Sequence, residues 1–372
     1  MSSRTNHRLI VRFFAHPQKV ERELLHAVGR GLHNAVPWIV LVCALLGTAM
    51  LIVVVARQAR ANDLSAGARR IRILAPPEVS VAGALTLWMG LHALLRPAWR
   101  RLLQGQPHLA WEVVADPDEV SMALWVPRVV PPGLVERAVE AAWPGARTEV
   151  TKACSIVDEN AKAIAITELA LAEPEWFPIG EAPDDEPLRL ALGTMTALEE
   201  GERAAVQILA RPATSTARLP MFRAARNLRR ATPGALPFWA VGSSGSQPKP
   251  LRPSLDPTVE PDVRAILAKA ASPLWSCRIR VAVSSTDRPR ARGKIHALAG
   301  AFAVFQGRNG FRRRRLVRGR SHLDARTLRG GYLLSVPELA QIAALPGEAV
   351  PGFDSARART LAAPRALPKD GF

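Results

Sequence analysis

The sequence predicts an α+β protein, with an N-terminal transmembrane helix ahead of a strand-helix-strand-strand-helix-strand unit and a second, interrupted α/β unit. Three observations predict this class. Residues 35–56 are an uncharged apolar run that as a helix measures about 33 Å, enough to span a bilayer core. Residues 69–155 switch repeatedly between the apolar spacing of strands and that of helices. Residues 163–305 repeat that alternation less regularly, around an insertion rich in Pro, Gly and Ser.

The apolar run carries Trp38 near one end, where an aromatic belt residue belongs, and its small residues Gly47 and Thr48 are common in membrane helices. It starts late and lacks a small-residue cleavage site before Arg57, so it reads as a retained anchor rather than a cleaved signal. A buried helix of a globular domain is the alternative. Arg57, Arg60, Arg69, Arg70 and Arg72 follow the run, against Lys19, Arg22 and Arg30 before it. That asymmetry places the bulk of the chain on the cytoplasmic side of the cell membrane, in a single-pass arrangement. Residues 1–34 form a basic segment with Leu24, Leu25, Val28 and Leu32 at helical spacing, and 57–68 a juxtamembrane linker.

Residues 70–74 alternate arginine with Ile71 and Ile73, as a half-buried strand does. Leu85, Trp88, Leu91 and Leu95 then recur at spacings of three and four, giving a helix that ends before Pro97. Strands over 108–115 and 121–126 flank Asp116-Pro117-Asp118, which is turn chemistry, so they form a hairpin. Pro131 and Pro132 open a second helix lined by Val135, Ala138, Val139 and Ala142, and 147–151 closes the unit as a strand. The order over 69–155 is that of a ferredoxin-like α+β unit.

A second α/β domain is expected over 156–346. Its strands fall at 163–171, 203–211 and 275–283, and its helices at 187–198, 262–271 and around Ile295, Leu298, Phe302 and Phe305. An insertion spans about 215–258, with a basic amphipathic helix over 217–230 and a Pro/Gly/Ser-rich stretch over 237–257. Ser335 and Glu338 have capping-box spacing, which predicts a short helix from Val336 that stops before Pro346. Residues 347–372 read as an extended tail.

Lys and Arg number 50 against 32 acids, a net charge of +18. Such an excess suits an anionic partner, nucleic acid or a phospholipid surface, although an Arg-rich, Lys-poor composition with Tyr332 as its one tyrosine also fits a GC-rich genome. Cys43, Cys154 and Cys277 show no metal or disulfide spacing. The histidines form no H-E-x-x-H pair, and no Ser, His and Asp form a nucleophile motif. Asp184, Asp185 and Glu186 precede a helix and suit its dipole. No cofactor, metal or catalytic residue is expected.

Residues 70–114 and 124–146 resemble the N-terminal, pre-motor region of conjugative DNA-transfer ATPases. These are the coupling-protein-like members of the FtsK/HerA translocase class that serve type IV secretion. The segment LLSVPELAQIAALP, residues 333–346, is similar to the element leading into their motor domain. The resemblance implies a component of a DNA-transfer apparatus. It departs from the family where the chemistry lies, because the G-x-x-x-x-G-K-[ST] phosphate loop is missing. Gly242-Ser243-Ser244-Gly245 is the nearest Gly-rich stretch and lacks the Gly-Lys-Ser/Thr ending.

The strongest local charge is the cluster Arg312, Arg313, Arg314, Arg315, Arg318 and Arg320, preceded by Arg288, Arg290, Arg292, Lys294 and Arg308. It suits DNA phosphates, anionic headgroups or an acidic protein, and equally a solvated loop. Three roles follow for the chain. It is a membrane-anchored, non-catalytic component that assembles a conjugative or type IV secretion-like system, with protein partners and further copies of itself. Otherwise it is a fragment of a full translocating ATPase, or a membrane-tethered nucleic-acid-binding protein.

Overall fold

Apolar alternation on strands needs two layers, and the chain supplies them as one sheet carrying most of its helices on one face, with a short helical segment crossing the other. The computed structural model describes residues 36–38, 40–52, 67–158, 160–182, 188–230, 259–347 and 353. The chain divides into two compact units, Met1–Arg60 and Ala61–Phe372.

In the first unit, residues 36–38 and 40–52 are helical and exposed. This corrects the expected transmembrane helix: among the described residues no helix is long and apolar enough to cross a membrane. The basic segment 1–34, the Gly-rich stretch 242–245 and the acidic residues 184–186 lie outside the described residues.

The second unit opens with β1 (Arg69–Leu74), α1 (Val81–Leu91), α2 (Ala98–Gln104), β2 (Leu109–Ala115), β3 (Val120–Val126), α3 (Leu134–Ala142) and β4 (Arg147–Lys152). The strands lie in the order β4-β1-β3-β2, all antiparallel, the ferredoxin-like arrangement. Asp116 begins the hairpin turn, its N–H donating to the Glu119 carbonyl at 2.8 Å. Helix α2 has no counterpart in the sequence reading, because Arg100 and Arg101 interrupt its apolar stripe.

The chain then runs through β5 (Ala163–Leu171), α4 (Arg189–Thr196), β6 (Arg203–Pro212), α5 (Leu219–Arg230), α6 (Val259–Ala271), β7 (Leu274–Ser285), α7 (Arg288–Ala301), β8 (Phe311–Arg315), α8 (Gly319–Asp324), β9 (Tyr332–Ser335) and α9 (Val336–Ile342). Strands β5 to β8 lie in the order β6-β7-β5-β8, the same arrangement read from the other end. The second strand of each half therefore meets the other's: β2 pairs antiparallel with β6, from Leu109↔Ala210 to Ala115↔Ala204. Strand β7 is long enough to pair with β5 over one stretch and with β9 over Leu274–Cys277.

One face of this sheet is apolar across both halves. Ile71, Ile73, Trp111, Val113, Met122 and Leu124 belong to the same core as Val206, Ile208, Ile279, Val281 and Leu169. Helices α1 and α3 pack together in the first half, α4 and α7 in the second, and α9 returns to α1. Trp88, fully buried, joins the halves. Its ring lies 6.4 Å from that of Trp111 and 5.2 Å from that of Trp275, and its indole N–H donates to the Ala343 carbonyl at 2.8 Å.

Helix α9 begins as its capping box requires: Ser335 accepts from the Glu338 N–H and the Glu338 carboxylate accepts from the Ser335 N–H. Glu338 is also buried. It accepts from Lys269 Nζ at 3.1 Å and from the Ile179 N–H at 2.8 Å, so one carboxylate caps α9 and ties α6 to it.

Trp88→Ala is expected to destabilise the chain by about 3–5 kcal/mol, the usual cost of emptying a large aromatic site. Trp88→Phe is expected to cost about 1–2 kcal/mol, because it leaves the Ala343 carbonyl without its donor. Urea unfolding of the full chain checks both.

Candidate anion-binding site

The end of the sheet in the second half is built from β5, β8 and α7. Strand β8 is the outermost strand, and its register on β5 runs from Leu171↔Phe311 to Thr167↔Arg315. Phe311, opposite Leu171, turns toward the helices and meets Phe302 and Phe305 edge-on at 6.1 Å. By the two-residue alternation of a strand, Arg313 and Arg315 share that face, while Arg312 and Arg314 point to the other. All four arginines are exposed.

Helix α7 starts at an N-cap, Asp287, whose carboxylate accepts from the Arg290 N–H at 2.8 Å. Arg288, Ala291, Arg292, Ile295 and His296 then fall at helical spacing along one stripe. Ala291 and Ile295 are buried, and Arg288, Arg292 and His296 form the exposed rim. Together with residues 163–167 of β5 and Arg313, Arg314 and Arg315 of β8, this stripe lines a cavity of about 780 Å³. Five arginines and a histidine line it, and no carboxylate does.

Four other basic residues of the cluster meet carboxylates. Arg290 pairs with Glu199, Lys294 Nζ lies 2.6 Å from Glu202, Arg308 pairs with Asp262 at 2.9 Å over the Phe177 ring, and Arg320 lies 3.8 Å from Asp324. Among the described residues Arg288, Arg292, Arg313 and Arg315 form no ion pair. Like charges lining one cavity repel, and an anion entering it relieves that repulsion. The structure thus gathers Arg313, Arg314 and Arg315 of the expected cluster and adds Arg288 and Arg292. It leaves Arg312 out of the lining and places Arg318 at the start of α8 in a left-handed conformation with φ 55°, and Arg320 within α8.

The position of β8 depends on the segment that follows it, which crosses the opposite face of the sheet. There the registers align Arg72, Ala123, Glu112, Gln207, Arg280, Glu168 and Arg314 in one row. Glu112, with no exposed surface, receives Arg326 Nε at 2.8 Å and Gln207 Nε2 at 3.0 Å. Gln207 also donates to the Leu323 carbonyl, and Arg280 to the carbonyls of His322 and Thr327. Arg326 adopts φ 48°, a strained conformation for a side-chain-bearing residue, held by its bonds to Glu112, Asp324 and Cys154.

His108 stacks on Trp125 with centroids 5.4 Å apart, and its Nε2 lies 2.6 Å from the Arg326 carbonyl. Burial holds its imidazole down at about 4, and the nearby Arg211 and Arg280 push the same way against the hydrogen bond. The ring is therefore neutral at pH 7 and donates to Arg326.

None of Glu112, Gln207, Arg280 or Arg326 stands out in the sequence as a site residue. The one available signal is Glu112, a lone charge inside an otherwise apolar strand.

A two-half ferredoxin-like module with a guanidinium-lined sheet end is the class that fold and site define. The chain belongs to the family described as a domain of unknown function, DUF8128, whose model matches residues 57–352. That span covers both halves, the row across the seam and the cavity. No curated protein matches the chain.

Two outcomes are expected from the row. Glu112→Ala leaves Arg326 buried without its carboxylate and is expected to cost about 3–5 kcal/mol by urea unfolding, with Glu112→Gln costing less. His108 has a folded value below the ~6.5 of a free imidazole. Between about pH 4 and 6.5 only the unfolded chain binds that proton, so this contribution is complete above pH 6.5 and is lost as pH falls through the window. Relative to His108→Gln, the wild-type chain is expected to lose about 2 kcal/mol from pH 7 to pH 4.5.

Proposed function

We propose that the chain is a non-catalytic assembly component of a conjugative or type IV secretion-like DNA-transfer system, and that it holds an anionic partner at the arginine-lined end of its sheet. The observation that carries the binding role is the separation of the basic residues. Arg290, Lys294, Arg308 and Arg320 meet carboxylates, whereas the cavity collects arginines with no carboxylate in its lining. Support for the DNA-transfer setting comes from the resemblance of residues 70–114 and 124–146 to the pre-motor region of conjugative ATPases. In this role the chain holds and positions its partner.

Transfer frequency between donor and recipient cells tests it. Deleting the gene is expected to lower transfer at least tenfold. The variant Arg288→Ala, Arg292→Ala, Arg313→Ala, Arg315→Ala, expressed at the wild-type level, is expected to fail to restore it. Unchanged transfer on deletion overturns the DNA-transfer role, and full restoration by the quadruple variant moves the function away from the cavity.

A further inference from the structure

The backbone at the cavity floor is as informative as the arginines around it. The Ala172 N–H donates to the Gly310 carbonyl at 2.9 Å, and this fixes which residues of β5 turn their backbone groups toward β8. In an antiparallel ladder those residues alternate, so with the observed register they are the even-numbered ones. The opposite side agrees. The Ala213 N–H donates to the Leu274 carbonyl, which turns the even-numbered groups of β7 toward β6 and the odd ones toward β5. Those odd positions are opposite Ala165, Thr167 and Leu169.

Strand β8 ends at Arg315, opposite Thr167, while β5 continues on β7 to Ala163↔Ser285. Ile164 therefore directs its N–H and C=O outward, with no backbone partner among the described residues, and the Ile166 N–H points the same way, while the Ile166 carbonyl faces Leu316 where the Thr167↔Arg315 pairing closes. The cavity lies beside them.

We propose that residues 163–166 are a docking edge for an extended acidic segment of a partner protein, which adds a short strand to the sheet beside β5. This rests on the binding role proposed above and names its partner. An added strand satisfies outward donors and acceptors together. A phosphodiester backbone offers acceptors alone and leaves the Ile164 carbonyl unmatched.

The faces set the side-chain pattern. Positions opposite Ala163 and Ala165 share the α7 face with Arg288 and Arg292 and take Asp or Glu. The position opposite Ile164 shares the face where Ile164 packs with Leu323 and takes an apolar residue. The arginines on β8 add selectivity: a charged edge discourages pairing with neutral or basic strands, and β4, the outermost strand at the far end of the sheet among the described residues, carries Arg147 and Lys152 itself. Strand exchange between copies through these two edges is therefore disfavoured.

The test uses the full chain and three fluorescein-labelled probes: a ten-residue peptide alternating Glu and Val, a peptide of the same composition with its Glu and Val in separate blocks, and a ten-nucleotide oligothymidylate. Anisotropy is expected to show the alternating peptide binding at least tenfold more tightly than the block peptide. Arg288→Glu with Arg292→Glu is expected to weaken it at least tenfold, and so is Ile166→Pro, which removes an outward N–H and leaves the β7 ladder intact. Ile166→Val is expected to bind as the wild type does.

Should the proline variant fold poorly, hydrogen exchange on the wild-type chain decides. The alternating peptide is expected to protect the Ile164 and Ile166 amides, and the oligothymidylate to leave them unprotected. Equal binding of the block peptide or the oligothymidylate, with those amides unprotected, overturns the docking edge and reduces the cavity to a charge sink. Loss of DNA transfer in the quadruple arginine variant combined with unprotected amides keeps the assembly role and removes the docking edge. Protected amides combined with unchanged transfer on gene deletion keep the edge and remove that role.

Discussion

The seam between β2 and β6 is the constraint on which the rest of the structure depends. Joining two ferredoxin-like sheets by like edges turns two edge strands into central ones, and every residue of β2 becomes buried. A strand in that position must satisfy its side chains on both faces. On the helix face it does so with Leu109, Trp111 and Val113 in the shared core. On the other face it carries Glu112, whose charge cannot remain buried without partners. Gln207 meets it from across the seam, and Arg326 reaches it from the segment between α8 and β9. The carboxylate thus fixes the seam and at the same time the path of the chain after β8.

That path has consequences at a distance. Gln207 and Arg280 bind the carbonyls of His322, Leu323 and Thr327, so α8 lies where the polar row holds it. Because the chain leaves β8 at Arg315 to reach α8, β8 stops short of the start of β5. The open backbone groups at the cavity and the buried network at the seam are two ends of one arrangement. On the helix face the C-terminal elements close the halves in the same manner, with Trp88 bound to Ala343 and Glu338 joining α9 to Lys269 of α6.

Local periodicity made most of the elements legible. The strands of the first half and its hairpin follow from alternation around Ile71, Ile73, Trp111 and Met122, and the start of α9 from the Ser335 and Glu338 spacing. Strand β8 was hidden because its alternation is masked by charge: at a sheet edge both faces of Arg312–Arg315 reach water, so nothing selects apolar residues there. Glu112, Arg280 and Arg326 were not legible as a set, since they meet only after the halves join. Sequence places them far apart, and each alone reads as an ordinary strand or loop charge. The apolar run at 35–56 was read from composition, which specifies what a segment avoids; among the described residues no helix is long and apolar enough to cross a membrane.

Arginine at a sheet edge has two physical meanings that are commonly set against each other. It repels an approaching strand, which protects a folded protein from aggregation, and it attracts anions, which makes a binding surface. In β8 and α7 the two act together. An edge that were only protected would need no cavity behind it and would gain nothing from Arg288 and Arg292, which come from a different element and converge on the same space. An edge that served only to gather anions would need no unpaired strand at its floor. With the outward groups of Ile164 and Ile166 set among guanidinium groups, the repulsion that excludes neutral and basic strands is also what selects an acidic one.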